Sequence, residues 1–201
     1  MLVDSLKLMN RYPVRKTNVQ KREFLVSVAD YVQELGYCCR QEKNHIRIGA
    51  DQTAFVLYAR YDTSVFRDDS TAVLTVLEIL RTLPQLHRPR VSAVIYEGSF
   101  LPAGNQTAIL LENLNLGSEI RMYPSQALMA DPGFAHLLKR CTGWFGNKQI
   151  RLLKSSGHKT KQLLICSVRP KKHLFRKAPM GPDMTTVNIL RACISTLISA
   201  Q

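Results

Sequence analysis

Apolar and polar positions change period several times along the 201 residues, and the change is sharpest between Phe55 and Leu83. Phe55-Val56-Leu57-Tyr58-Ala59 is an unbroken apolar run, the pattern of a strand buried on both faces. Arg60-Tyr61-Asp62 then turns polar and the acidic pair Asp68-Asp69 follows. From Ala72 the apolar residues return at helical spacing as Val73, Val76, Leu77, Leu80 and Leu83, with Asp69 or Ser70 at the N-cap and Pro84 as the stop. A strand, a polar loop and a helix make half of a βαβ unit, and ligand sites in such sheets gather at the carboxyl ends of strands. Arg60, Asp62 and Asp68 therefore stand where chemistry is expected.

The flanking segments extend the pattern. Residues 1–18 are polar and basic except for Leu6, Leu8 and Met9. A helix is predicted from Gln20, with Phe24, Val28, Tyr31, Val32 and Leu35 on one face and Gly36 at C′, where positive φ is required. Tyr37 to Arg40 and His45 to Ile48 read as short strands, and Val91 to Tyr96 as a second buried one. Ala103 to Leu114 is predicted helical and Ser118 to Met122 a strand. Asp131-Pro132 opens a helix running through Arg140. Leu163 to Val168 reads as a strand, and a last helix opened by Pro182 buries Val187, Leu190, Ile194, Leu197 and Ile198. Alternating strands and helices predict an α/β fold: three layers, α/β/α, around a mostly parallel, mixed sheet, with residues 1–201 as one domain.

Charge adds one unusual feature. Against 15 acidic residues stand 28 Lys and Arg, a net charge of +13. That excess favours anionic partners. The densest run, Arg169-Pro170-Lys171-Lys172-His173 with Arg176-Lys177, offers only Phe175 for stacking, so nucleic acid is the least favoured of them. The five cysteines, Cys38, Cys39, Cys141, Cys166 and Cys193, show no C-x-x-C spacing and suggest neither a disulfide framework nor a zinc knuckle. A reduced, cytoplasmic setting is expected, with no membrane span and no signal peptide.

The series of segments resembles the co-catalytic zinc aminopeptidases (peptidase family M twenty-eight), which also include glutaminyl cyclases and the transferrin-receptor ectodomain. Tyr12-Pro13-Val14-Arg15 and the helix to Gly36 look like the family's lead-in. Val56 to Glu78 looks like its strand ending in H-x-D followed by D-N-x-S-G at a helix start. Val91 to Phe100 looks like the strand ending in D-G-E-E, and Lys177-Ala178-Pro179 through Asp183 like H-T-P-x-D. The resemblance implies a zinc-exopeptidase-like fold and a di-zinc site. Carried over, the first metal His falls on Arg60, its orienting Asp on Asp62, and the bridging Asp on Asp68. The paired glutamates fall on Ser99 and Phe100, the later Asp on Arg121 before Met122, and the last His on Lys177.

Arg has no lone pair for a metal, Lys would have to shed a strongly held proton, and neither Ser nor Phe replaces a carboxylate base. The expectation is a domain without catalytic residues, metal or cofactor, in which Arg60, Arg121 and Lys177 act as counter-charge to Asp62 and Asp68. It would serve as a binding or structural module for a small anionic or peptide ligand, with pairing into a homo-oligomer as a further expectation. The alternative is a metal-dependent, zinc-using aminopeptidase or other hydrolase with a non-standard site drawn from Glu97, Asp68, Asp131 and His158 or His173. A basic nucleic-acid-binding protein is the third reading. Cys166, in an apolar strand, reads as core.

Overall fold

The computed structural model describes residues 4–64, 67–98, 102, 105–114, 119–154, 157, 159–168 and 181–200, the side chains of 63, 64, 67 and 68 apart. The lead-in polar stretch already holds a helix, α1 (Ser5–Arg11), whose Asp4 cap accepts the Leu6 N–H. The next, α2 (Asn18–Glu34), starts on a complete capping box, with Thr17 accepting from the Gln20 N–H and the Gln20 side chain returning to the Thr17 N–H. It stops at Gly36, whose φ of 86° is the left-handed turn expected of a C′ glycine.

A short hairpin, β1 (Cys39–Gln41) and β2 (His45–Ile48), leads to the fully apolar β3 (Phe55–Arg60). A two-residue ribbon, β4 (Thr63–Ser64) against β5 (Arg67–Asp68), then feeds α3 (Ser70–Thr82). After a 3-10 turn (Gln85–Arg90) come β6 (Val91–Tyr96), β7 (Thr107–Glu112) and β8 (Glu119–Pro124). The chain continues through α4 (Gln126–Met129), α5 (Pro132–Arg140), β9 (Gly143–Phe145), β10 (Lys148–Leu152), β11 (Gln162–Val168) and α6 (Met184–Ser199).

The sheet order is β1-β2-β6-β3-β7-β11-β8-β10-β9, nine strands, and the fold is α/β around a mixed sheet. At its centre β6, β3, β7 and β11 run parallel. The pairs β2–β6, β8–β11, β1–β2 and β9–β10 are antiparallel, while β10 runs parallel to β8. The carboxyl ends of β3, β6, β7 and β11 therefore lie along one edge.

One prediction is corrected here. Ala103 to Leu114, expected as a helix, contains the strand β7, seated between β3 and β11. Thr107-Ala108-Ile109-Leu110-Leu111 is a short apolar run, which periodicity alone does not separate from a buried helix. The hydrogen bonds offered by strands on both sides decide it.

The described buried residues form two clusters. The larger joins Ile46, Ile48, Leu57, Ala59, Ile95, Ile109 and Leu111 of the sheet to residues of all six helices, among them Leu8, Phe24, Val76, Leu128, Phe134 and Leu190. On the opposite sheet face Val56, Tyr58, Val94, Tyr96 and Ala108 make a smaller one, to which no described helix contributes. Among the described residues no helix is long and apolar enough to cross a membrane.

Candidate functional site at the carboxyl edge

The first turn of α3 forms the floor of the carboxyl edge. Arg15, wholly buried, lies beneath it and donates Nε to the Tyr61 carbonyl at 2.7 Å, Nη1 to the Tyr12 carbonyl at 2.7 Å and Nη2 to Ser70 Oγ at 2.9 Å. Its guanidinium also stacks 4.8 Å from the centre of the Phe24 ring. Asp69 holds the N-cap position but makes no side-chain cap bond. Instead, its buried carboxylate accepts the Asn113 N–H at 3.2 Å. That contact follows from Asn113 taking φ of 50°, a left-handed conformation Asn tolerates better than most, just past the end of β7. The Asn113 carbonyl in turn accepts from Ser167 Oγ at 2.5 Å. Thr71 Oγ1 accepts the Asp183 N–H at 2.8 Å, so the start of α6 is tied to the start of α3.

The mouth above it is built of ion pairs. Arg60, the last residue of β3, donates from Nε to Asp62 Oδ2 at 2.5 Å, and Asp62 also accepts the Gly98 N–H at 3.2 Å. Both side chains are 21% exposed. Burial works against the Arg60 charge, but the hydrogen bond and field of Asp62, with Asp69 and Tyr96 behind, outweigh it and hold its pKa above the ordinary value. On the α2 side, Lys21 pairs with Glu97, which also accepts from the Tyr61 hydroxyl at 3.4 Å. Burial, then Glu97 and Asp62, push the Tyr61 phenol up, so it stays a proton donor. Tyr96 donates to Glu112 at 3.2 Å and is raised for the same reasons, burial and an adjacent carboxylate.

Beside this mouth lies a cleft of about 340 Å³. One wall is the first turns of α2, with Asn18, Lys21 and Arg22; the other is the β1–β2 turn, with Glu42, Lys43 and Asn44. Leu25, Tyr61 and Glu97 reach into it.

The residues singled out in the sequence separate into three groups. Arg60 and Asp62 come together as expected of a charge and its counter-charge. Arg121 does not join them, and its expected role as counter-charge to Asp62 is corrected. It belongs to β8, three strands from β3, or roughly 14 Å at the spacing of neighbouring strands, and its partner is Glu119 at 2.5 Å. What the fold brings to the end of β3 is the end of β7, with Glu112 and Asn113; that strand was read as helix, so neither residue stood out. The side chain of Asp68, Ser99, Phe100, Lys177, His158, His173 and the Arg169–Lys177 run lie outside the described residues. Of the alternative set, Glu97 is engaged by Lys21 and Tyr61, and Asp131 caps α5 by accepting the Phe134 N–H at 3.1 Å.

Zinc, which the resemblance implies, asks for three or four His, Cys, Asp or Glu donors around one point. Among the described residues no three such side chains gather to hold an ion. The end of β3 presents a guanidinium instead, so the described donor set does not fit zinc.

No protein-family model matches the chain, and no curated protein matches it. Solved structures do. Glutaminyl cyclase of Tannerella forsythia superposes with a TM-score of 0.63 over 96% of each chain, at 12% identity. The PhTET1-12s dodecamer gives a TM-score of 0.60 at 7% identity, over 97% of this chain and 99% of that one. Aminopeptidase PepT of Bacillus cereus gives 0.52 at 8% identity, over 100% and 99%. At such identities the likeness is one of fold. With the nine-stranded mixed sheet and its carboxyl-edge site, it makes this chain's fold zinc-exopeptidase-like.

Proposed function

We propose that this chain is a zinc-independent, non-catalytic relative of the zinc exopeptidases by fold, working as a binding module for a small anionic ligand. The observation that carries the reading is the Arg60–Asp62 pair. Where the resemblance puts a metal-binding imidazole, the strand ends in a guanidinium locked onto the carboxylate that would have oriented that imidazole. Such a pair neutralises Asp62 without an ion, and the guanidinium itself offers a metal no lone pair. The adjacent cleft supplies the ligand's place. Its lining carries Lys21, Arg22 and Lys43 against Glu42 and Glu97. Lys21 and Glu97 neutralise each other, so Arg22 and Lys43 on facing walls outnumber Glu42 and set its sign, and a carboxylate or phosphate bridging them is the ligand chemistry this favours.

Two measurements test the reading. Metal analysis after dialysis against zinc, with assays on aminoacyl and N-terminal glutaminyl peptides, is expected to find neither stoichiometric zinc nor chelator-sensitive turnover. Either one would overturn the non-catalytic assignment in favour of the hydrolase alternative. Thermal-shift titration with inorganic phosphate and with citrate is expected to stabilise the protein, and Arg22→Ala with Lys43→Ala to abolish the shift. No shift with either anion would remove the ligand assignment.

A further inference from the structure

At the end of the sheet away from the β1–β2 turn, the neighbouring strands β8, β10 and β9 bring together residues that lie apart in sequence. Gln149 of β10 pairs with Trp144 of β9 on one side and with Glu119 of β8 on the other, and Arg151 pairs with Arg121. Paired residues share a face of the sheet. Here it is the face turned away from the helices, because Ile120, Met122 and Ile150, the alternating residues of β8 and β10, are buried in the larger cluster. Trp144, the chain's only tryptophan, is 67% exposed on it. Its neighbour Phe145 packs against the core, so nothing in the described fold calls for a tryptophan at 144. Beside it two guanidiniums share one carboxylate. Arg121 Nε lies 2.5 Å from Glu119 Oε1, and Arg151 Nε lies 3.4 Å from Glu119 Oε2. The group therefore carries one more positive charge than negative, and the Arg151 and Arg121 side chains are 54% and 35% exposed. Arg151 stands diagonally across from Trp144, roughly 7–8 Å away at the spacing of such pairs.

We propose that this patch is a contact for single-stranded nucleic acid, in which a base stacks on Trp144 and backbone phosphates sit on Arg151 and Arg121. An exposed indole offers a stacking platform to any base, and guanidinium forks match phosphate oxygens. The diagonal from Trp144 to Arg151 suits a base and a phosphate of the same strand. The net charge of +13 draws a polyanion toward the protein, and the patch is where that attraction meets an aromatic ring. In sequence the densest basic run has only Phe175 for stacking; strand pairing, not sequence proximity, supplies the missing aromatic group. A duplex keeps its base faces stacked on one another, so the patch favours single strands. A peptide strand added along β9 is the other occupant an edge invites. The three residues of β9 give it a short ladder, and Trp144, Arg151 and Arg121 stand out of the sheet plane rather than along its edge.

Because Trp144 is the only tryptophan, the unmodified protein carries its own probe. Titration with a short thymidine oligonucleotide at low salt is expected to quench the tryptophan emission, with an affinity that falls steeply as salt rises. Inorganic phosphate, a duplex of the same length and poly-glutamate are expected to leave the emission unchanged. Replacing both arginines, Arg121→Gln with Arg151→Gln, is expected to flatten the salt slope by roughly 0.7 for each arginine. Trp144→Ala, followed by the anisotropy of a labelled oligonucleotide, is expected to bind about tenfold more weakly or worse. All three side chains reach solvent, so these variants are expected to keep the wild-type melting temperature. The proposal is overturned if the oligonucleotide binds without quenching Trp144, or does not bind. It is equally overturned if poly-glutamate or the duplex quenches as strongly, or if Trp144→Ala binds as tightly as the unmodified protein.

Discussion

The floor and the mouth of the carboxyl edge both rest on an arginine, and the two are held in opposite ways. Arg15 is sealed in, its Nε, Nη1 and Nη2 spent on Tyr61, Tyr12 and Ser70, groups that belong to the lead-in segment, the loop after β3 and the start of α3. Arg60 directly precedes one of those acceptors, Tyr61, in sequence, but it reaches solvent and binds the carboxylate two positions on. A sealed guanidinium with shared carbonyls joins pieces of the fold, whereas a half-open ion pair contributes little to stability and leaves its charge within reach of a ligand. The floor holds the edge together and the mouth sets its chemistry.

The sharpest way to break this comparison is Arg15→Met. It keeps much of the volume over Phe24 but removes the donors to the Tyr61 and Tyr12 carbonyls and to Ser70 Oγ. The expected cost is about 3 kcal/mol or more in urea unfolding, because buried acceptors lose a charged donor at once. Next is Thr71→Val, nearly isosteric. It removes the Oγ1 that accepts the Asp183 N–H and is expected to cost about 1–2 kcal/mol, with the same unfolding slope. A loss below a few tenths for either would mean the floor is not the support described here.

How much of this was legible in the sequence follows the same division. β3, α3, β6 and α6 were readable because each carries its period within its own residues. The turn from Phe55 to Ser70 placed Arg60 and Asp62 at the edge for that reason. α1 was invisible beyond an apolar patch, since its seven residues span barely two turns. β10 escaped notice because Lys148-Gln149-Ile150-Arg151-Leu152 mixes charge into a short alternation. Arg15 was quoted only as part of the lead-in; a basic residue in a polar stretch reads as surface, and its burial depends on a carbonyl 46 positions along the chain. The Lys21–Glu97 pair spans 76 positions and left no local signal either. Arg121 was misplaced because matching a Met after it carried no information about which strand neighbours β3.

Acid titration sharpens the comparison from the side of α6. Asp183 caps that helix, accepting from the Thr185 and Thr186 N–H groups, and pairs with Lys148 at 2.6 Å. Burial raises its pKa, but the Lys148 hydrogen bond and charge, with Thr186, more than offset it, so the carboxyl lies below its ordinary value. A depressed carboxyl binds fewer protons folded than unfolded. Its share of stability is therefore present above the unfolded pKa of about 3.9 and is lost as pH falls through the lower folded value. Unfolding free energy measured from neutral pH down to pH ~3 is expected to fall in that window. Asp183→Asn, which still caps a helix, is expected to make the fall shallower. An unchanged slope would remove the carboxylate from the support of α6.

The smallest expected effect is at the mouth, and it bears most directly on the proposed function. Arg60→Ala deletes a guanidinium from a pair in which each partner is a fifth exposed, and Asp62 keeps both the Gly98 N–H and access to water. The expected loss is about 0.5–1 kcal/mol, well short of Arg15. A loss matching that of Arg15→Met would make the mouth as structural as the floor and end the comparison. Arg60→His presses the same point chemically. It returns an imidazole to the end of β3, yet it adds only one donor to Asp62, and a zinc site needs three or four. No stoichiometric zinc is therefore expected to survive desalting of Arg60→His. Zinc retained by this single variant would mean that Asp68, or other residues beyond those described, complete a metal site that the guanidinium alone was holding shut.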